Sequence, residues 1–245
     1  VRDLALLVPS RGRPARLSRL WESVKATATA STTLIAGLDE DDPTRDGYPP
    51  GPVYVTEPGL RYVTAWVNRL AALYADGFAV LGTVGDDNVC ETPGWDSAIV
   101  AALERNPFAF GNDLYPLRAP GTLACHIFMR RATYRALGYF GPPELTHMYV
   151  DVAWMAWGVS CGISYLDDVH IRHEHYTTGR AACDETYARS AARTAADLAA
   201  WHAYSRREGP GGLNADIARL GGEPFTASRL ADFNQTLAIP AVWPL

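Results

Sequence analysis

An α/β fold is what this sequence predicts, and three observations carry the prediction. Short, mainly apolar runs at Leu4 to Val8, Thr32 to Leu38 and Phe78 to Val84 have the length and composition of buried strands. Between them, apolar residues recur at helical spacing, as in Leu17, Leu20, Trp21 and Val24. A turn rich in Gly, Pro or Asp closes each run. At 245 residues, 48% hydrophobic and 20% charged, the chain suits one large unit. The expected division is a main α/β domain over residues 1–180 and a helical extension over 181–245 packed on it.

The formal net charge of −5 gives no general attraction to nucleic acid or anionic membrane. All basic residues but Lys25 are arginines. Cys90, Cys125, Cys161 and Cys183 are widely spaced and form no Cys-x-x-Cys, which argues against structural zinc and a disulfide framework. A cytoplasmic location is the expectation: Leu4 to Val8 is too short for a secretory signal, and no window reaches the ~20 apolar residues of a membrane span.

In order, Leu4 to Val8 reads as a first strand stopped by Pro9. Ser10-Arg11-Gly12-Arg13-Pro14 leads into the first helix. Backbone N–H groups, a helix dipole and two guanidinium groups then meet in one place, a cradle for an anion. The second strand ends in Asp39-Glu40-Asp41-Asp42. Such a run is ordinarily a solvated loop, yet Asp39 stands at a strand's carboxyl end, where a carboxylate can accept hydrogen bonds from a ligand. Val53 to Thr56 is a third strand. A helix buries Val63, Trp66, Val67, Leu70 and Tyr74, with Arg61 in its first turn and off that stripe.

The central stretch is Gly85-Asp86-Asp87-Asn88, followed by Pro93-Gly94-Trp95-Asp96 at a helix start. Two adjacent carboxylates after a buried strand repel one another. A hard divalent cation, which prefers oxygen ligands, would relieve that repulsion. A solvated turn with a capping Asp is the plainer alternative.

Farther on, Ile99 to Leu103 reads as helix, Phe108 to Gly111 and Gly121 to Met129 as strands, and Arg131 to Leu137 as helix. His126, inside an apolar run, reads as a core histidine. Residues 138–143 form a loop long enough to reach across a site. A helix begins near Met148, where Asp151 stands among apolar neighbours. It is either a dipole-favoured helix-start residue or a general base lifted toward neutrality by desolvation. Ile163 to Leu166 and Val169 to His175 read as two strands. In the second, His173 and His175 share a face, which suits metal ligation, whereas Glu174 points to solvent. Asp184 caps one helix running to Arg207, and the segment after Gly209 to Gly212 has weaker helical signals.

Taken together, these motifs resemble nucleotide-sugar glycosyltransferases of the GT-A fold. The family-two-like members carried by bacteriophages and actinobacteria are the most similar. The elements that carry the resemblance are Val8 to Pro14, Asp39, Gly85 to Asn88 with Thr92 to Asp96, Tyr149 to Asp151 with Ala153-Trp154, and His173-Glu174-His175 with Gly179. The resemblance implies a Rossmann-like nucleotide-binding half on a mixed, mostly parallel sheet, plus the C-terminal helical segment. It implies a nucleoside-diphosphate sugar as donor and Mn2+ or Mg2+ as cofactor. Pro9, Ser10, Arg11, Arg13 and Asp39 would hold the nucleoside, with Arg61 on ribose or phosphate. Asp86 would lean toward ribose and sugar. Asp87 and one of His173 and His175 would bind the metal, and Asp151 would be the base of an inverting transfer. Where the family separates its two acids by a residue, here they are adjacent, and Val150 stands where many members have a second acid. The Gln-x-x-Arg-Trp signature of processive synthases is absent, so a single transfer is expected. A phage-borne member would have a modified DNA base as one conceivable acceptor. Nucleotidyl transfer, or binding of a nucleotide sugar without catalysis, are the competing readings.

Overall fold

The computed structural model describes residues 2–114 and 125–237. Among these, eight strands form one mixed sheet in the order β3-β2-β1-β4-β7-β6-β8-β5. The strands are β1 (Arg2–Ser10), β2 (Thr32–Asp39), β3 (Val53–Glu57), β4 (Phe78–Thr83), β5 (Asn88–Cys90), β6 (Phe108–Asn112), β7 (Ile127–Arg130) and β8 (Ile163–His173). The pairings β1–β2, β1–β4, β2–β3 and β6–β8 are parallel, whereas β4–β7, β6–β7 and β5–β8 are antiparallel.

The strand period of two sorts the sheet's side chains into two cores. On one face Leu4, Leu6, Val8, Leu34 and Ala36 meet α1 (Pro14–Thr27) and α3 (Trp95–Ala102). On the other, Ala5, Leu7, Ile35 and Leu81 meet α2 (Val63–Tyr74) and α5 (Val150–Cys161). Both faces are covered, so the strands read as continuous apolar runs rather than alternating ones. Helix α5 is buried on nearly all sides, consistent with its lack of a polar stripe.

Helix α4 (Arg131–Leu137) follows β7 directly. The C-terminal segment holds α6 (Glu185–Ala191), α7 (Thr194–Arg206), α8 (Leu213–Arg219) and α9 (Ala227–Thr236). Trp201, Tyr204, Leu213 and Ile217 enter the same core as Trp157. The Trp157 indole donates to the Tyr204 hydroxyl at 2.9 Å, and that hydroxyl donates to Asp216 at 2.6 Å.

Several expectations need correction. Ile163 to His175 is not two strands: β8 runs unbroken from Ile163 and stops at His173, because parallel pairing with β6 and antiparallel pairing with β5 satisfy its two ends in turn. The helix expected from Asp184 to Arg207 is two, with a turn at residues 192–193. That turn lets α6 set Tyr187 against Arg13 and Asp87 while α7 buries Trp201. The strand expected from Gly121 begins at Ile127, and residues 121–124 lie outside the described residues. The 138–143 loop is held against the scaffold: Phe140 and Gly141 N–H groups donate to Asn68, and the Trp154 indole donates to the Phe140 carbonyl. Strand β5, three residues long, has too little pattern to be read from sequence.

Candidate functional site

Strand order reverses between β1 and β4, since the chain runs outward to β2 and β3 and then returns to β1's other side. Crevices at the carboxyl ends of strands form at such reversals. Ser10, Asp39 and the Gly85–Asn88 turn all lie at carboxyl ends here. The resulting cleft encloses about 270 Å³. All of Pro9, Ser10, Arg11, Arg13, Asp39, Arg61, Asp86, Asp87, Asp151, His173 and His175 line it.

The acidic turn is tightly built. Asn88 N–H donates to the Gly85 carbonyl at 3.1 Å, and its side-chain oxygen accepts from Gly85 N–H at 2.7 Å. A Cβ at Gly85 would stand 2.4 Å from Asp87 Oδ1, so the missing side chain makes room for that carboxylate. The Ser10 hydroxyl donates to Asp86 at 2.6 Å, and the buried Arg13 guanidinium reaches Asp86 at 3.0 Å and Asp87 at 3.6 Å. The Tyr187 hydroxyl donates to Asp87 Oδ2 at 2.6 Å. His173 Nε2 stands 3.4 Å from Asp87 Oδ1.

These partners split the two acids. Burial, partly opposed by Arg13 and reinforced by Asp87, raises Asp86 to about 6. Asp87 is equally buried, but the charge and hydrogen bond of His173, with Arg13 and Tyr187, outweigh that and hold it below the usual carboxylate range. Burial lowers His173, yet Cys125 and Asp87 more than compensate and raise it well above the ordinary imidazole value. Burial also pushes up the Cys125 thiol, but His173's charge and hydrogen bonds from His126 and His173 bring it down to about 7.

The acid pair therefore has a resident counter-charge. Repulsion between the acids, the sequence argument for a cation, is already offset by Arg13, which sequence reasoning had placed on the nucleoside. Asp87 Oδ1 and His173 Nε2, 3.4 Å apart, are two atoms that could face a divalent metal together. Asp86, tied to Ser10 and Arg13, fits less well. His175 lies beyond the strand, its ring 5.0 Å from that of His173. Its Nδ1 accepts from Thr177 N–H, capping a short helical turn. Glu174 is not solvated as expected: its carboxylate is only 12% exposed, pairs with Arg19, and bonds Arg172 at 2.7 Å.

Asp39 is buried. Its Oδ1 accepts from the Trp66 indole at 2.8 Å and from Arg61 N–H at 3.2 Å, and its Oδ2 meets Arg11 at 3.1 Å. Arg61 precedes α2 at φ 51° rather than lying in its first turn. A Cβ on Gly37 would fall 2.3 Å from the Trp66 ring, so a bare backbone there lets the indole reach Asp39. Asp151 is half-buried in the first turn of α5, and one oxygen accepts from Val152 N–H at 3.0 Å. The loop before α5 is fixed by Asp197, a buried carboxylate of α7 that accepts from the N–H groups of Thr146, His147 and Met148.

Sequence reasoning missed the contribution of α6. Asp184 caps that helix as expected, but it also binds Arg13 at 2.7 and 2.8 Å. Tyr187 stacks under the same guanidinium at 4.2 Å and closes an aromatic group with His175 and Tyr176. Nothing in the local pattern around Tyr187 marks it.

Solved structures share this fold. A mannosyltransferase from Pyrobaculum calidifontis, in complex with GDP-Man and Mn2+, superposes with a TM-score of 0.60 at 11% identity, covering 98% of this chain and 79% of that one. Glucosyl-3-phosphoglycerate synthase from Mycobacterium tuberculosis gives 0.55 at 15% identity, covering 81% and 80%. S. aureus TarS, residues 1–349 in complex with UDP, gives 0.53 at 13%, covering 97% and 76%. The chain thus has the GT-A fold of nucleotide-sugar glycosyltransferases, with its mixed, mostly parallel sheet. No protein-family model matches the sequence, and no curated protein does. Among the described residues, no helix is long and apolar enough to cross a membrane.

Proposed function

We propose that this protein is a metal-dependent glycosyltransferase that moves a sugar from a nucleoside-diphosphate donor to an acceptor hydroxyl, with inversion. The observation that supports it best is the convergence of Asp86, Asp87, His173 and Asp151 on one cleft at the strand-order reversal. Asp39, Arg11 and Arg61 would hold the nucleoside, and Ser10 and Arg13 would orient the acid turn beneath the diphosphate. Asp87 and His173 would hold Mn2+ or Mg2+. Such an ion, when bound, would draw charge from the departing diphosphate. Asp151 would take the proton of the acceptor hydroxyl, and the cleft's apolar rim of Val63, Trp154 and Tyr149 would exclude water from that step. The acceptor is a hydroxyl-bearing molecule, a modified DNA base being one instance.

The test is a thermal-shift panel of nucleoside diphosphates, triphosphates and nucleotide sugars, with and without Mn2+. Ligands that bind the folded state raise its melting temperature by mass action. Stabilisation by a diphosphate or nucleotide sugar, deepened by Mn2+, is expected. Stabilisation by triphosphates alone would instead favour nucleotidyl transfer. Asp151→Asn should retain that stabilisation and lose transfer by about 10²–10⁴-fold. Near-normal turnover would remove Asp151 as base, and the product's anomeric configuration by NMR tests inversion.

A further inference from the structure

Three neighbouring strands end together at the cleft floor. In the order β7-β6-β8, β7 is antiparallel to β6 and β8 is parallel to it. The carboxyl ends of β6 and β8 and the amino end of β7 therefore coincide. Asp113 follows β6, Cys125 precedes β7 and His173 closes β8. One ligand atom from each lies within 4.8 Å of the others. The backbone ties them as well: His173 N–H donates to the Asp113 carbonyl at 2.9 Å, and Cys125 N–H donates to the Asp113 carboxylate at 3.3 Å.

We propose that Asp113, Cys125 and His173 form a binding site for a thiophilic divalent ion, of which Zn2+ is the type. A thiolate, an imidazole and a carboxylate are zinc's own donor set, whereas Mg2+ and Mn2+ favour oxygen. Tetrahedral bond lengths place ligand atoms roughly 3.3–3.6 Å apart. Side-chain rotation closes the remaining gap. Cys125 and His173 line the cleft and Asp113 is buried, so an ion held by the three would be reached from the cleft side. No Cys-x-x-Cys spacing announces the site, because its ligands are brought together by strand order.

His173 is also the imidazole beside Asp87. An ion held by the trio would share His173 with the Mn2+ or Mg2+ set of the same cleft, so the two ions would be coupled through one imidazole. The proposal stands on the trio's geometry and does not require that sugar transfer be the reaction.

The experiment uses the full chain carrying Cys183→Ser, which removes the exposed thiol. Co2+ is titrated in, and thiolate-to-cobalt charge-transfer absorption in the near ultraviolet is read, followed by displacement with Zn2+. One equivalent should produce the band, Cys125→Ser should abolish it, and Asp113→Asn should weaken Co2+ at least about tenfold, or roughly 1.4 kcal/mol. Cys125→Ala serves as the second variant should the serine form fail to fold. Absence of the band, or its survival without Cys125, would overturn the site. Mn2+-dependent stabilisation by a nucleoside diphosphate is measured on the same proteins. Its loss in the parent protein would count against the donor reading instead, and leave the cobalt result standing.

Discussion

Two carboxylate sites at the strand ends share one supplier of positive charge. The β1–α1 loop sends Arg11 to Asp39, at the end of β2, and Arg13 to Asp86 and Asp87, beyond β4. The first pair is open on the arginine side, with Arg11 about a quarter exposed, and Asp39 is also satisfied by an indole and a backbone amide. The second is closed: Arg13 and both acids are buried, and the guanidinium serves Asp184 too. One loop thus provides a screened contact that can exchange for a ligand and a buried contact that cannot be spared. Burial, rather than residue type, decides which is which.

Removing the buried member should have the largest effect. Arg13→Ala leaves buried Asp86 without its counter-charge and Asp87 with only His173 and Arg16, and is expected to cost about 3–5 kcal/mol in urea unfolding. Arg13→Lys should recover only part of this, because one ammonium cannot reproduce the fork that holds Asp86 and Asp184 together. A loss below 1 kcal/mol for Arg13→Ala would erase the contrast between the sites. Trp66→Phe, which takes one donor from buried Asp39, should cost about 1–3 kcal/mol. Arg11→Ala is expected to change stability by less than about 1 kcal/mol. Its effect should appear instead in nucleotide affinity, read by the same thermal shift.

A smaller difference concerns acid. Asp42 supports the same loop, accepting from the N–H groups of Gly12 and Thr44 and the hydroxyls of Thr44 and Tyr48. Burial raises its carboxyl, but those hydrogen bonds outweigh it and the net shift is downward. A lowered folded-state value binds fewer protons than the unfolded chain. The contribution is therefore full above the ordinary carboxylate range near pH 4 and fades as pH falls through the lowered value. Asp42→Asn should flatten the acid limb of the stability profile and leave its slope near neutrality unchanged.

The halves of the chain differ in how far they could be read. Through Asp87, strand and helix placement follows from short-range pattern, and Leu4 to Val8, Thr32 to Leu38 and Val63 to Tyr74 lie in the elements expected of them. Beyond it, antiparallel insertion of β7 between β4 and β6 depends on partners far apart in sequence, which no window displays. Asp151 could be nominated because it stands among apolar neighbours, and His173 because it shares an apolar strand face with His175. Tyr187, Asp113 and Cys125 could not, since their neighbours are ordinary.

By itself, the sequence determined the α/β class, the acid turn after β4 and the arginine-bearing turn after β1. Those depend on periodicity and turn chemistry within a few residues. Tertiary structure decided that Arg13 neutralises the acids, that His173 stands beside Asp87, and that Tyr187 of α6 reaches them. Each is a contact across 70 or more residues, with |i−j| = 73 for Arg13 to Asp86 and 100 for Tyr187 to Asp87. Strand order and helix docking set such distances, and local pattern carries no record of them.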